Sequence, residues 1–217
     1  HNAIRSGGAE QYLRAVTSHL YTDSPFAPMT ANPPVWLSGN ATSKEPEQQL
    51  VSNGGAGEGI TWANNIYTAL VNWNVSAYLW WEDVQWPNPY TNEKLIKMDN
   101  ATNTYEITRR LSTFANWLRC LRPGAIRVTT SGLRTAAFKN VDGTIAVIAI
   151  SSSGRGSTAN VNIRVSGLEE KKPVAVQAFV SHNTRNCQRT EATVSADGIV
   201  LGSVAAMSIT AFLILPG

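Results

Sequence analysis

Pro34-Val35-Trp36-Leu37-Ser38-Gly39-Asn40-Ala41-Thr42 is a short apolar run that stops abruptly at small and polar residues. Pro34 to Leu37 reads as a buried strand, and Ser38 to Thr42 reads as the loop at that strand's carboxyl end. In an α/β barrel such a loop is where chemistry sits. Whether the chain is an α/β protein depends on the segments flanking this run.

Upstream, Ala9-Glu10-Gln11-Tyr12-Leu13-Arg14 carries helix formers and leads into Ala15-Val16-Thr17-Ser18-His19-Leu20-Tyr21, a strand whose tip holds His19 and Tyr21. Residues two apart on a strand point the same way, so these two are expected to face one space. Asp23 to Pro33 is an irregular, proline-rich connection. Downstream, Asn40 to Gly57 is polar and glycine-rich loop. From Gly59 a helical period begins, with Ile60, Ala63, Tyr67, Leu70 and Val71 at three- and four-residue steps. Val75 to Trp81 is a second apolar strand, ending in a polar, proline-containing loop over 82–103. Strand, helix and strand with long loops after the strands predict a parallel sheet covered by helices.

The next helix is predicted from Ile107, Leu111, Phe114, Leu118 and Leu121, which form one apolar face, and Pro123-Gly124 stops it. Beyond Gly124 the period becomes two. Ala125–Thr130, Leu133–Lys139, Thr144–Ser151, the alternating Ala159–Val165, Pro173–Val180, Glu191–Val194, Ile199–Val204 and Met207–Leu215 read as strands, with Asn140-Val141-Asp142-Gly143 as a hairpin turn. Their spacing predicts an antiparallel sandwich. The fold class is therefore α/β plus all-β: residues 1–121 form a parallel strand-helix region and 122–217 a β-sandwich. The first region holds at most three strand-helix units, too few to close a barrel. A companion chain supplying the remainder is expected, because unpaired apolar edges do not stay exposed.

The 217 residues are 43% hydrophobic, enough for a sizeable core, and no run of about eighteen apolar residues crosses a membrane. The net charge of +3 comes from scattered Lys and Arg with mixed clusters such as Glu169-Glu170-Lys171-Lys172, a solvated surface and no nucleic-acid face. Seven Trp and six Tyr are many for this length; most belong to packing, and exposed ones are the kind that stack on sugar rings.

Cys120 and Cys187 show no CxxC pairing and no His at ligand spacing, so no zinc site or other metal is expected. Asn40-Ala41-Thr42, Asn74-Val75-Ser76 and Asn100-Ala101-Thr102 are acceptor sequons at Asn40, Asn74 and Asn100. With low charge and two cysteines they predict a secreted, extracellular eukaryotic glycoprotein. A disulfide between Cys120 and Cys187 is expected there, with two free buried thiols as the alternative. No leader-like segment opens the chain, so a mature or partial chain is expected.

The order His19-x-Tyr21, Pro34-Val35-Trp36-Leu37-Ser38, Ala77-Tyr78-Leu79-Trp80-Trp81, Leu121-Arg122-Pro123-Gly124-Ala125-Ile126-Arg127-Val128, Ala137-Phe138-Lys139-Asn140-Val141-Asp142-Gly143-Thr144 and Met207-Ser208-Ile209-Thr210-Ala211-Phe212 resembles glycoside hydrolase family 30, especially its fungal xylanase-type members. The resemblance runs over nearly the whole chain. It implies a (β/α)8 TIM barrel with a side β-sandwich, of which this chain holds barrel units of about six to eight. It also implies hydrolysis of a β-linked polysaccharide such as xylan, or of a β-1,6-galactan or β-1,6-glucan, with retention and without a cofactor.

Retention requires two carboxyl groups about 5 Å apart, one the nucleophile and one the acid and base. The resemblance places the acid/base on strand four, outside this chain, and the nucleophile at position 39, after Trp-x-Ser. Gly39 has no carboxylate, so no glycosyl-enzyme ester forms there. A Glu-to-Gly replacement made to trap substrate or drive synthesis, a naturally inactive carbohydrate-binding relative and an error in the sequence each account for it. Glu45 and Glu47 lie further along a polar loop and read as solvated. The resemblance also puts His19 and Tyr21 on the floor of the site and Trp81 beneath the sugar, with Trp80 turned toward the helices. Glu82 and Asp83 are candidates for contacts to sugar hydroxyls.

Overall fold

The computed structural model describes residues 6–19, 34–37, 58–86, 94–132, 134–152, 158–167 and 172–217. They fall into two compact units, one formed by 1–46 and 64–107 and the other by 47–63 and 108–217.

The first unit opens with a 3-10 turn at Glu10–Tyr12 and strand β1 (Val16–Ser18). Strand β2 (Val35–Leu37) lies parallel to it, Val16 beside Val35 and Ser18 beside Leu37. Helix α1 (Gly59–Tyr67) runs on as a π-helical turn, Thr68–Asn72. Asn74, at φ 55°, then reverses the chain in the left-handed conformation that Asn tolerates. Strand β3 (Ala77–Tyr78) returns parallel to β2, giving the order β1-β2-β3. Two parallel strands joined through a helix require a crossover of this kind. Leu37, Ala69 and Val75 are buried together, with Trp73 and Tyr78 packed against them, so the helical segment covers one face of the sheet.

The loop expected over 82–103 carries a second sheet. β4 (Val84–Gln85) pairs in parallel with β5 (Ile96–Asp99), which pairs antiparallel with β6 (Thr104–Ile107). The sequence conceals β5 and β6 because they alternate apolar and polar residues over only four positions each. Asp99 Oδ1 accepts the Ala101 N–H at 2.9 Å in their turn.

In the second unit, helix α2 (Arg109–Cys120) packs on strands of the carboxyl-terminal sandwich, so it belongs there and not with the parallel strands. Its buried face also differs from the apolar stripe. Arg110, Ser112, Thr113, Asn116, Trp117 and Cys120 are buried, whereas Leu118 is exposed. The polar side chains are used against a neighbouring hairpin: Asn116 Nδ2 donates to the Phe179 carbonyl at 2.9 Å and Ser112 Oγ to Asn186 Oδ1 at 3.1 Å. Arg109 donates to the Asn183 carbonyl at 2.9 Å.

β7 (Ile126–Val128), β8 (Thr135–Lys139), β9 (Ile145–Ser151), β10 (Ala159–Ile163), β11 (Pro173–His182), β12 (Arg185–Thr190), β13 (Thr193–Val194), β14 (Val200–Val204) and β15 (Ser208–Pro216) complete the chain. They form a six-stranded antiparallel sheet, β12-β11-β15-β9-β8-β7, and a three-stranded one, β10-β14-β13. Ala137, Ile145, Val147, Val200, Phe212 and Ile214 bury the space between the sheets. Ile148, Phe179, Ile209 and Ala211, on the opposite face, are buried too, as expected of a sheet with α2 on that side. The sandwich is the expected one except for β12, a polar strand that its sequence, Arg-Asn-Cys-Gln-Arg-Thr, conceals. The β8–β9 link closes as expected, with Gly143 at φ 85° and the Asn140 N–H bonded to the Thr144 carbonyl at 2.8 Å.

The disulfide is not formed: Cys120 and Cys187 are free, buried thiols. Each has its own anchor. Cys120 closes α2, and its carbonyl accepts from Asn140 Nδ2 at 2.8 Å, while the Cys187 N–H donates to Ser181 Oγ at 2.8 Å. A disulfide demands a narrow Cα and Cβ geometry that sequence separation does not reveal. Burial, and then the neighbouring Cys187, push the Cys120 thiol up to about 12.

Candidate functional site

Two of the site residues singled out in the sequence, His19 and Trp81, follow the carboxyl ends of β1 and β3. The register sets Thr17, Trp36 and Ala77 side by side, and likewise Ser18, Leu37 and Tyr78. Because neighbours on a strand face opposite sides, the second row lies under the helical segment and the first looks out from the uncovered face. Leu37 is 1% exposed and Trp36 39%. The apolar run of β2 predicts a strand that is wholly buried, and the structure corrects this. Two-sided burial is a property of the intact parallel sheet, and here one face is open.

His19 follows β1 directly and is exposed. Trp81 follows β3 and is 53% exposed, while Trp80 is half-buried and tilted against Tyr78 at 6.2 Å between ring centroids. Leu79 is tied back to β2 by its N–H, which donates to the Leu37 carbonyl at 2.8 Å. The peptide joining Trp81 to Glu82 is cis. Tyr21, Gly39, Asn40, Glu45 and Glu47 lie outside the described residues. The structure thus places His19 after β1 and Trp81 after β3, with Trp36 in the middle of β2 on the open face of the sheet.

Glu82 and Asp83 begin the second sheet, their carbonyls accepting from the Leu95 and Ile96 N–H groups at 3.4 and 2.8 Å. Of the sequons, Asn74 and Asn100 are exposed at turns, positions an attached glycan can occupy. The Asp99 carboxyl beside Asn100 is held below its ordinary value by the Thr102 hydroxyl and the Ala101 N–H. Among the described residues no cluster of His, Cys, Asp and Glu could hold a metal ion, and no helix is long and apolar enough to cross a membrane.

Buried charge elsewhere is structural in setting. Arg110, fully buried on α2, lies over the Trp62 ring with its guanidinium carbon 6.0 Å from the centroid. Sequence reasoning misses Trp36 as an exposed ring, and misses Trp86 and Tyr105, which are 49% and 71% exposed on the second sheet. A signal for the last two exists: Val84, Trp86, Ile96, Met98, Tyr105 and Ile107 alternate with polar residues once the strands are paired.

No family model matches the chain. Among solved structures, the catalytic domain of the family 30 glycoside hydrolase xylanase C from Talaromyces cellulolyticus is 31% identical and superposes with a TM-score of 0.87, over 98% of this chain and 48% of that one. A family 30 subfamily 8 xylanase from Clostridium acetobutylicum superposes at 0.74 with 18% identity, over 99% of this chain and 51% of that one. An endo-β-1,6-glucanase reaches 0.64 at 14% identity, over 98% of this chain and 43% of that one; the last two likenesses concern the fold alone. The chain therefore spans about half the length of the solved relatives it matches.

Proposed function

Because this chain is related in structure and sequence to one xylanase of glycoside hydrolase family 30 and in fold to others, we propose that it is the carboxyl-terminal half of a secreted, retaining glycanase acting on xylan. β1, β2 and β3 would be barrel strands six, seven and eight, with the sandwich as the side domain. The observation that carries this reading is the pairing of 31% identity across 98% of the chain with an exposed Trp81 at the end of the third parallel strand.

In this reading the substrate lies across the carboxyl ends of the strands. Trp81 stacks beneath the sugar whose bond is cut, and His19 and Tyr21 hold the space beside position 39. A retaining reaction needs a carboxylate there to attack the anomeric carbon and a second carboxyl, in the other half of the barrel, to protonate the departing oxygen. Gly39 supplies no nucleophile, so the chain as written binds its substrate without opening it. The full-length protein carrying Gly39→Glu, given glucuronoxylan and a β-1,6-glucan in parallel, tests this. Reducing sugar released from xylan supports the proposal, and release from the β-1,6-glucan alone moves the specificity to the second polymer. No release from either, with both bound, makes the protein a carbohydrate-binding relative.

A further inference from the structure

The ribbon β4-β5-β6 is amphipathic across its strands. Its register places Val84 beside Ile96 and Ile96 beside Ile107, and Met98 beside Tyr105. Continuing the β4–β5 register by one residue sets Trp86 beside Met98. One face is therefore wholly apolar, and the other carries Gln85, Lys97 and Glu106, the last two in an ion pair at 3.5 Å. An apolar face on a ribbon this small is normally packed, yet Val84, Trp86, Tyr105 and Ile107 are 45–71% exposed, with half-buried Ile96 and Met98 as a floor between them.

Size and shape identify the occupant. Two strands of four residues and one of two make a face of about 160 Å², whereas a stable protein interface buries about 800 Å² per partner. The rings of Trp86 and Tyr105 stand on strands two apart, a separation of about 10 Å, which is the run of two pyranose units in an extended β-linked chain. The C–H face of a pyranose stacks on an aromatic ring, and an exposed ring keeps its other flank in water. The ribbon is also continuous with the candidate site, since the chain leaves Trp81 and enters β4 within three residues.

We propose that Trp86 and Tyr105 form a second sugar-binding platform, which grips an extended β-linked polysaccharide as it leaves the site at Trp81. This rests on the glycanase reading above and adds to it a requirement for chain length. Short oligosaccharides occupy the Trp81 site alone. Longer ones also reach the ribbon.

The test measures binding of xylobiose, xylohexaose and soluble xylan to the full-length protein with Gly39 in place, by calorimetry and affinity electrophoresis. Trp86→Ala and Tyr105→Ala together are expected to weaken xylohexaose and xylan about tenfold, the worth of a lost ring stack, with xylobiose affinity and thermal midpoint unchanged. Tyr105→Phe keeps the ring and is expected to keep the affinity. If the unmodified protein binds xylan and the double variant binds it equally, the platform is refuted while the glycanase reading stands. If the double variant loses several degrees of thermal midpoint and weakens xylobiose and xylohexaose alike, the face is a packing surface and the platform is refuted again. If the unmodified protein binds no xylan, the glycanase reading falls first and this inference with it.

Discussion

Asn116, buried on α2, donates its amide to the carbonyl of Phe179 on β11 at 2.9 Å, and its own carbonyl accepts the hydroxyl of Ser181. Ser181 Oγ in turn accepts the N–H of Cys187 at 2.8 Å, so one helix side chain organises both strands of the β11–β12 hairpin. Replacing Asn116 by Ala removes the donor to the Phe179 carbonyl and one acceptor of Ser181 Oγ, which keeps its bonds to the Ser112 carbonyl at 3.2 Å and to the Cys187 N–H, at a cost of about 1–3 kcal/mol. Urea unfolding monitored by tryptophan fluorescence should show that loss. A change under about 0.5 kcal/mol would mean the helix is held by apolar contacts alone.

Cys120 responds to alkali in a defined direction. Its folded thiol titrates at about 12 against an ordinary 9.0, raised first by burial and then by Cys187, so the folded state holds the proton more tightly. Its contribution to stability is complete below pH 9 and is lost as pH rises toward 12. Cys120→Ala should therefore flatten the alkaline limb of the stability profile. In the native protein at pH 8 a disulfide-exchange reagent should label the thiols at least about tenfold more slowly than in urea, where two should react. Failure to label either in urea without reductant would show that they had joined.

Gly202, on β14, faces the ring of Phe212 so closely that an added Cβ would stand 2.7 Å from a ring carbon. Phe212 is fully buried and cannot yield outward. Gly202→Ala should cost about 1–3 kcal/mol by overpacking, and pairing it with Phe212→Leu should restore part of that. Thermal melts of the three variants check the compensation.

Trp80 and Trp81 should separate stability from binding. The half-buried Trp80 packs with Tyr78, and Trp80→Ala should lower stability by about 1–3 kcal/mol. The exposed ring of Trp81 has little to lose on folding, and Trp81→Ala should leave the melt within about 0.5 kcal/mol while weakening xylobiose by at least about tenfold. The two adjacent substitutions thus form a matched pair, read by calorimetry and thermal denaturation.

The sandwich is legible in the sequence because its longer strands are apolar or alternating runs, such as Ile145–Ser151 and Ala159–Ile163, separated by turns such as Asn140-Val141-Asp142-Gly143. The parallel strands are legible as apolar runs but overextended: Val75–Trp81 keeps only Ala77–Tyr78 in the ladder, since periodicity marks burial and not pairing. The face of α2 misleads for a physical reason. Leu118 belongs to the apolar stripe and is exposed, whereas Asn116 and Ser112 are buried because hairpin carbonyls and side chains satisfy them. A polar residue that is hydrogen-bonded across a fold is indistinguishable in sequence from one in solvent. The ribbon β4-β5-β6 escapes notice because its apolar face exists only after three separate segments pair. At the candidate site, Trp81 is foreseeable as an exposed ring and Trp36 is not, because which side of a strand is covered depends on the partner layers.

The central claim is that position 39 stands where a nucleophile belongs, and small-anion rescue of the full-length protein with Gly39 in place tests it most directly. Azide can occupy the space left by a carboxylate, attack the anomeric carbon of an aryl β-xylobioside and expel the aryl oxide, which takes up a proton from the second carboxyl group. The account predicts turnover only when azide is present, with α-xylobiosyl azide as the product. Turnover without azide, or none with it while the xylobioside is bound, would contradict the account.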